Sequence, residues 1–396
     1  MLIEIALAIL IGLIIGVITG LTPGIHNNTV NAMLLALIPS LPISPMPLII
    51  FVVVLAITHT TLDFIPSIFT GATDGESFMA TLPGHDMLNE GKGTEAVMSA
   101  ALGTRIAIPI ILVITPLFVI VVPKIIESIK IAIPFILIFV SIYIVIREKY
   151  IYSGLSVWIL SGFLGYSALN LPITEPLLPL LSGLFGGSGL ILSIIQKTKI
   201  PKQKKIKKIK FEKNEIIKAT LSAAISAPLC SFLPAIGSGH AATIGSEIFQ
   251  QSRRGFLIML GAINTIVMVL SFATLYAINK TRTGASAAVK EIIGSPSTKN
   301  LIIIITVSIL AIIIASIIAA KLAKIFADKI NKINYNILSI IMLSVLIIFI
   351  LAISNFLGFI VFITGTALGI FTIKSGIKRI NLMGCLMIPT ILYYLF

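Results

Sequence analysis

Two short polar segments interrupt apolar helical sequence at corresponding positions of the two halves of the chain. They cover residues 20–32 and 231–242, and each contains a proline, Pro23 or Pro234. Proline removes a backbone donor and disfavours helix in the residue before it, so both segments predict a broken helix. Small polar residues of types that cap a new helix follow each proline, namely Asn27, Asn28 and Ser238.

A helix start offers free N–H groups and the positive end of the helix dipole, which together suit a carboxylate or phosphate. The predicted anion site therefore combines both helix starts: Pro23, Gly24, His26, Asn27, Asn28, Thr29, Asn31, Pro234, Gly237, Ser238, Gly239, His240 and Thr243. Carbonyls released where the preceding helix ends are candidate ligands of a hard cation such as Na⁺. These carbonyls and their neighbours are Thr19, Leu21, Leu229 and Ser231.

Ionisable groups inside apolar helices are the next candidates. His59 and Asp63 stand four residues apart, so one helical face carries both, with Thr60 beside them. We interpret His59 and Thr60 as anion contacts and Asp63 as part of a proton or cation relay. Alternatively, His59 and Asp63 form a structural pair, or Asp63 caps a short helix that begins near Phe64.

Other polar residues have two readings each. Arg282 suits a bidentate contact with a carboxylate, or it is a surface arginine. Glu247 coordinates a cation, or it lies at the membrane surface beside Arg253. Asn264 and Thr265 contact ligand, or they form hydrogen bonds between helices.

Motifs of soluble enzyme chemistry are absent from the sequence. There is no phosphate-binding loop of the Gly-x-x-x-x-Gly-Lys type and no nucleophile elbow, so we predict neither ATP hydrolysis nor an enzyme. No catalytic residue, metal site or cofactor is predicted apart from Na⁺ as a coupling ion. A rival interpretation is an intramembrane enzyme with a metal among His26, His59, Asp63 and His240.

Composition indicates a polytopic membrane protein. Of the 396 residues, 57% are hydrophobic and only 11% are charged. The net charge of +14 does not indicate nucleic-acid binding, because Lys and Arg lie between apolar stretches, as in cytoplasmic loops. We predict an all-α fold of about ten to fourteen helical pieces. They lie near 2–22, 26–40, 46–70, 95–122, 125–146, 152–170, 175–196, 215–233, 238–252, 255–279, 300–325, 335–353, 356–373 and 377–395.

The distribution of positive charge predicts topology. Residues 197–214 form a Lys-rich linker, and placing it in the cytoplasm places most other basic clusters there too. Both termini are then external, in a multi-pass protein of the cell membrane. Residues 1–196 and 215–396 each cross an odd number of times, so we predict inverted-topology repeats of the kind found in secondary transporters.

Three groups of residues resemble the large permease subunit of the tripartite tricarboxylate transporter family. They are 20–32, then Leu82-Pro83-Gly84 with residues 91–96, and 234–237 with 280–285. The chain is most similar to the compact archaeal branch, with Ile25 to Asn28 replacing a glycine-rich run. The resemblance implies ion-driven transport of small carboxylates together with a small membrane subunit and an external binding protein.

These observations predict a Na⁺- or H⁺-coupled secondary transporter of small organic anions, with di- and tricarboxylates as the expected substrates. The anion would lie between the two helix starts, and one unit with both broken segments would move against a frame of residues 125–196 and 300–395. The alternatives are a transporter of the same fold for a lipid-linked phosphate or an amino acid, and the metal enzyme. The expected partners are the anion, the lipid bilayer and the two accessory subunits, without nucleic acid.

Overall fold

The computed structural model describes residues 2–22, 30–31, 33–35, 43–70, 81–196, 201–204, 209–232, 237–330 and 335–396. These residues form helices without strands, as predicted for an all-α membrane protein. Within these described ranges, seven helices are long and apolar enough to cross a bilayer. The predicted break at Pro23 and the residues Gly24, His26, Asn27, Asn28 and Thr29 lie outside the described residues, as does Pro234.

The first half begins with two parallel helices, α1 (Leu2–Leu21) and α2 (Pro45–Leu62). Glycines of α1 allow close contact: Gly12 lies against Val54, Gly16 against Thr58 and Gly20 against Leu62. Small residues let apolar helices approach in this way inside a membrane. Because the residue numbers rise together along the contact, the two helices run in the same direction.

Short helices complete this part. Asp63 lies between α2 and α3 (Phe64–Thr70) with helical backbone angles (φ −65°, ψ −17°), and α4 covers Thr81–Asn89. Every residue of α3 is buried, as is most of α2. A membrane helix that is buried on all sides belongs to the centre of the bundle, where polar groups can meet other protein or ligand.

Helix α5 (Gly93–Ile146) contains 54 helical residues, where the sequence predicted two helices with a break near 123–124. A straight helix of this length would extend about 81 Å. However, Glu95 pairs with Arg254 and Arg147 with Glu247. Residues 247 and 254 are at most about 25 Å apart along the chain. The helix therefore doubles back, and its two arms correspond to the apolar segments Gly93–Ser128 and Ile131–Ile146.

The next helices complete the first half: α6 (Ile151–Asn170) and α7 (Leu177–Ile195). Residues Ser182–Gly187 of α7 form a π-helical turn that the sequence did not predict. Part of the linker then packs against the turn before α5. The Gln203 side chain accepts a hydrogen bond from the Gly93 N–H and donates one to the Leu88 carbonyl, and the Lys204 N–H donates to the Gly91 carbonyl.

The second half repeats the opening arrangement with α8 (Lys213–Phe232), α9 (Ser238–Ile248) and α10 (Arg253–Ile278). Ser222 contacts Gln251 near the start of α10, and the Ser231 carbonyl accepts from Thr274 near its end, so α8 and α10 are also parallel. Helix α10 is buried over most of its length, like α2 and α3.

The remaining helices are α11 (Gly284–Ile293), α12 (Thr298–Ile330), α13 (Tyr335–Lys374) and α14 (Gly384–Leu395). Helix α13 is interrupted at Asn355, which has φ 59° and ψ −173°. The Asn355 side chain accepts from the N–H groups of Leu357 and Gly358, so it caps a new helix. This agrees with the two predicted pieces 335–353 and 356–373.

Two ends of the bundle follow from these contacts. The linker end contains Gly93, Arg254 and Gln203, and the far end contains Phe232 and Asn279. Helix α3 finishes at the linker end, because Phe69 adjoins Gly93, whereas α10 starts there. The central helices of the two halves therefore run in opposite directions.

Candidate functional site

Polar residues from both halves lie at a similar depth in the bundle. His59 precedes Phe69 by ten residues, and Asn264 follows Arg254 by ten, so each lies about 15 Å from the linker end. Gly245 of α9 adjoins Met259 of α10. His240 precedes Gly245 by about one and a half helical turns, on the side away from the linker end, so it lies at a comparable depth. The hydrocarbon core of a bilayer is about 30 Å thick, so these side chains lie near its midplane.

Several of these side chains are buried and lack hydrogen bonds among the described residues. His240 and Asn264 are each 1% exposed, yet neither ring nitrogen of His240 and neither amide atom of Asn264 has a partner. The same holds for the Asn31 amide and for the hydroxyls of Thr58 and Thr60. Buried polar groups are normally satisfied, and leaving one unpaired is costly. Thr58, Thr60 and Asn264 lie on the central helices α2 and α10, so hydrogen-bonding capacity for a ligand is available near the midplane.

His59 has a different environment. Its Nδ1 lies 3.1 Å from the Thr19 hydroxyl, and both side chains are buried. The contact joins a predicted anion residue to a predicted cation ligand across the α1–α2 seam. Asp63 is also buried, one turn towards the linker end.

The end of α8 carries a positive charge. Nη2 of Arg282 donates to the Cys230 carbonyl at 3.1 Å, and the Arg282 backbone N–H donates to the Ser286 hydroxyl. Cys230 lies between Leu229 and Ser231, the predicted cation ligands of the second half, and the Leu229 side chain is 49% exposed. A guanidinium, which complements the helix dipole, thus occupies the side of α8 where the sequence predicted Na⁺.

Arg282 also lines a cavity of about 320 Å³ at the far end. Lys280 and Lys290 are in its wall, and Lys290 donates to the Asn279 carbonyl. The positive charge of Arg282 is within electrostatic range of His240. The cavity therefore has the charge and position of an entrance for anions towards the midplane.

A second cavity, of about 280 Å³, lies between α9 and the second arm of α5. His240 and Thr243 line it on one side, and Tyr143 on the other. Towards the linker end, Arg147 forms an ion pair with Glu247 and donates a hydrogen bond to the Tyr143 hydroxyl. His240 thus lines this mainly apolar cavity, whose wall towards the linker end includes Glu247.

The other predicted residues have clear positions. Gly237 is the N-cap of α9 in extended conformation, and Ser238 is its first helical residue rather than its cap. Gly239 accepts a hydrogen bond from the Thr243 hydroxyl within α9. Leu21 is the last residue of α1. Glu247 lies near the linker end, which agrees with its surface interpretation.

Sequence reasoning missed a role for Arg379, which it counted with Lys374 and Lys378 among the basic residues on the cytoplasmic side. Arg379 is 9% exposed and donates to the Phe185 carbonyl and to the Ser188 hydroxyl. Its guanidinium lies over the Phe185 ring, beside the π-helical turn of α7. Burial, assisted by the charge of Arg379, lowers the pKa of His85 to about 4. The unusual density of glycine at residues 183–189 is the one signal of such a turn in the sequence.

The described residues hold no group of three or more His, Cys, Asp or Glu side chains suited to a metal ion. Cys230 and Cys385 are buried free thiols. His59, Asp63 and His240 therefore do not converge as the metal-enzyme interpretation requires, while His26 lies outside the described residues.

Comparison with known proteins decides the family. The model of the tripartite tricarboxylate transporter TctA family matches residues 6–384. The chain belongs to this family. It is also 30% identical over 388 residues to an uncharacterized protein of Methanocaldococcus jannaschii, with 94% of each chain covered. No solved structure matches the chain. The TctA family assignment and the apolar helices make it a multi-pass membrane protein of a transporter family.

Proposed function

We propose that this TctA-family chain is a secondary transporter of small organic anions, of which di- and tricarboxylates fit best, driven by Na⁺ or H⁺. The observation that carries the proposal is the set of unpartnered polar groups of His240 and Asn264 near the midplane, with Arg282 in electrostatic range. A bound carboxylate would accept hydrogen bonds from the Asn264 amide and a protonated or suitably tautomeric His240, with its charge balanced by Arg282.

The coupling ion is assigned to the first half. Arg282 already places a cation at the end of α8, so a second positive ion there would be repelled. The Thr19 hydroxyl and His59 contact each other near the end of α1, and buried Asp63 supplies negative charge nearby. The proposed coupling site therefore comprises Thr19, His59, Asp63 and the carbonyls at the end of α1, near Leu21.

Transport follows the inverted-repeat plan in this proposal. Residues 1–196 and 215–396 form the two repeats, the linker is cytoplasmic, and both termini are external. Opposite directions of the central helices α2–α3 and α10 support this arrangement. The entrance at the far end would then be external, and separation of Arg147 from Glu247 would open the passage to the cytoplasm. A binding protein and a small membrane subunit are the proposed partners.

The test is uptake into proteoliposomes. Labelled citrate, a C4 dicarboxylate, phosphate and an amino acid would each be offered under an imposed Na⁺ gradient or proton gradient. The proposal predicts accumulation of a carboxylate with one gradient, and loss of accumulation in Asn264→Leu. Accumulation of phosphate or the amino acid alone would support a transporter of the same fold for another anion, and would contradict the proposal.

A further inference from the structure

Arg105 is an exposed charged residue on an apolar surface. It lies on the first arm of α5, and the residues that follow it on the same side, Pro109 and Leu112, are exposed as well. Its Nε donates to the Ser316 hydroxyl of α12 at 2.7 Å. The surface formed here by α5 and α12 is otherwise apolar, and we call it the Arg105 face.

The depth of Arg105 is unusual for an exposed arginine. It follows Glu95 by ten residues, which places its Cα about 15 Å from the linker end. Its partner Ser316 lies between Ile313 and Ile317, both exposed, and more than one turn before Lys321. The hydrogen bond therefore holds the guanidinium beside the apolar part of α12 rather than at the linker end.

A charge at this depth needs a counter-ion. Intramembrane arginines nearly always face the bundle interior or a wet cavity and pair with opposite charge. Arg105 faces outward instead, and no described carboxylate pairs with it; Ser316 is neutral. We propose that the Arg105 face binds a transmembrane helix of a separate polypeptide that carries an Asp or Glu side chain at this depth.

In a second copy of this chain, the residues that the structure describes offer no carboxylate that meets the requirement. Two copies inserted in the same orientation hold each residue at the same depth in the bilayer. A carboxylate that pairs with Arg105 of the other copy would therefore have to be exposed near the midplane. Asp63 and Glu148 are buried. The other described acidic residues lie near helix ends, at turns or in connections: Glu4, Asp86, Glu90, Glu95, Glu127, Glu175, Glu212, Glu215, Glu247, Glu291 and Asp328. The partner is therefore a different polypeptide, and this inference does not depend on the transported substrate.

The test uses a synthetic helix as the partner. The full chain, labelled at V113C on the exposed side of α5, is placed in uncharged phosphatidylcholine vesicles with labelled Leu/Ala peptides of about 22 residues. The peptides carry Asp, Asn or Leu at the central position, and energy transfer reports association. We expect the Asp peptide to associate at roughly five-fold lower peptide density than the Leu peptide, and Arg105→Gln to remove this preference.

The matched control is Lys124→Gln, which removes an exposed cation from the same arm of α5 near its far end. This variant should keep the preference for the Asp peptide. Equal association of all three peptides with the wild-type chain would overturn the proposal. Loss of the preference when the vesicles contain anionic phosphatidylglycerol would identify lipid as the counter-ion and would also overturn it. Size-exclusion profiles and substrate uptake, measured separately, distinguish these outcomes from misfolding or from failure of the transport assignment.

Discussion

His59 and His240 lie at similar depths in opposite halves of the bundle, but their surroundings differ. His59 contacts the Thr19 hydroxyl and has buried Asp63 one turn away. His240 has no hydrogen-bond partner among the described residues and lies within range of the positive charge of Arg282. The two halves therefore have similar helix directions but different polar groups. A hydroxyl and a carboxylate lie beside His59 in the first half, and a guanidinium lies near His240 in the second.

This difference is the basis on which we propose that the anion binds in the second half and the coupling ion in the first. An arginine fixed at the end of α8 favours a carboxylate and disfavours Na⁺. The first half offers oxygen ligands and a carboxylate, which suit a hard cation or a proton. Each prediction below changes one side of this comparison.

The largest effect is expected from Arg282→Gln. Loss of a charge-assisted hydrogen bond should lower carboxylate uptake about 10- to 100-fold, measured as initial rates in proteoliposomes. Arg282→Lys should restore part of the activity, because lysine keeps the charge but lacks the planar fork. Lys280→Gln, in the wall of the same cavity, is the matched control and should retain most activity; an equal loss there would mean that general positive charge suffices.

A smaller effect is expected from His240→Leu. Removal of an unpaired buried imidazole should weaken substrate affinity about ten-fold through loss of a ligand hydrogen bond. The folded protein should not lose stability, because no protein partner among the described residues is left unsatisfied. Substrate-concentration dependence of uptake and a thermal unfolding curve test the two statements. Unchanged affinity would remove His240 from the site.

Exchange of the first-half histidine should change coupling instead. In His59→Gln, counterflow of carboxylate should continue. The dependence of uptake on the driving ion gradient should fall about three- to ten-fold, which corresponds to the loss of one hydrogen bond. Retention of full gradient dependence would contradict the division between the halves.

His85 provides a control for pH measurements. Because burial lowers the pKa of His85 to about 4, this imidazole stays neutral from about pH 5 upward. His85→Gln should therefore leave the pH profile of uptake unchanged between pH 5.5 and pH 8, because the pKa of this imidazole lies well below that range. A shifted profile in that range would show that His85 titrates during transport.

A small effect is expected at the ion pair between Arg147 and Glu247. Both side chains are partly exposed, and exposed ion pairs contribute little. Glu247→Gln should increase the labelling rate of T243C by a linker-side thiol reagent a few-fold at most. Ser246→Ala on the same helix is the control, and no change in labelling would show that the pair does not close the passage.

The sequence alone predicted much of the architecture. Proline, glycine and charge positions indicated the helix ends near Phe232 and Asn355, and the short helix at Ser238–Ile248, because these features act through local backbone chemistry. His240 and Thr243 were placed on this short helix for the same reason, and their role in anion binding stays a prediction. The broken segment at Pro23 remains a prediction.

Features that depend on packing between distant residues were not predicted. The sequence gives no sign that Arg282 donates to the Cys230 carbonyl, which is 52 residues away. Arg379 was counted with its basic neighbours on the cytoplasmic side, but its burial beside α7 was not predicted. A charged residue near a helix end has the same local pattern whether it faces water or folds back onto a carbonyl.

The central claim is that the anion binds on the second-half side, and equilibrium binding of citrate to the purified protein tests it most directly. Calorimetric titrations of the wild type, Arg282→Gln and His59→Gln would be compared at a fixed Na⁺ concentration and pH. The account predicts about ten-fold or greater loss of citrate affinity in Arg282→Gln and near wild-type affinity in His59→Gln. Lost affinity in His59→Gln together with full affinity in Arg282→Gln would contradict it.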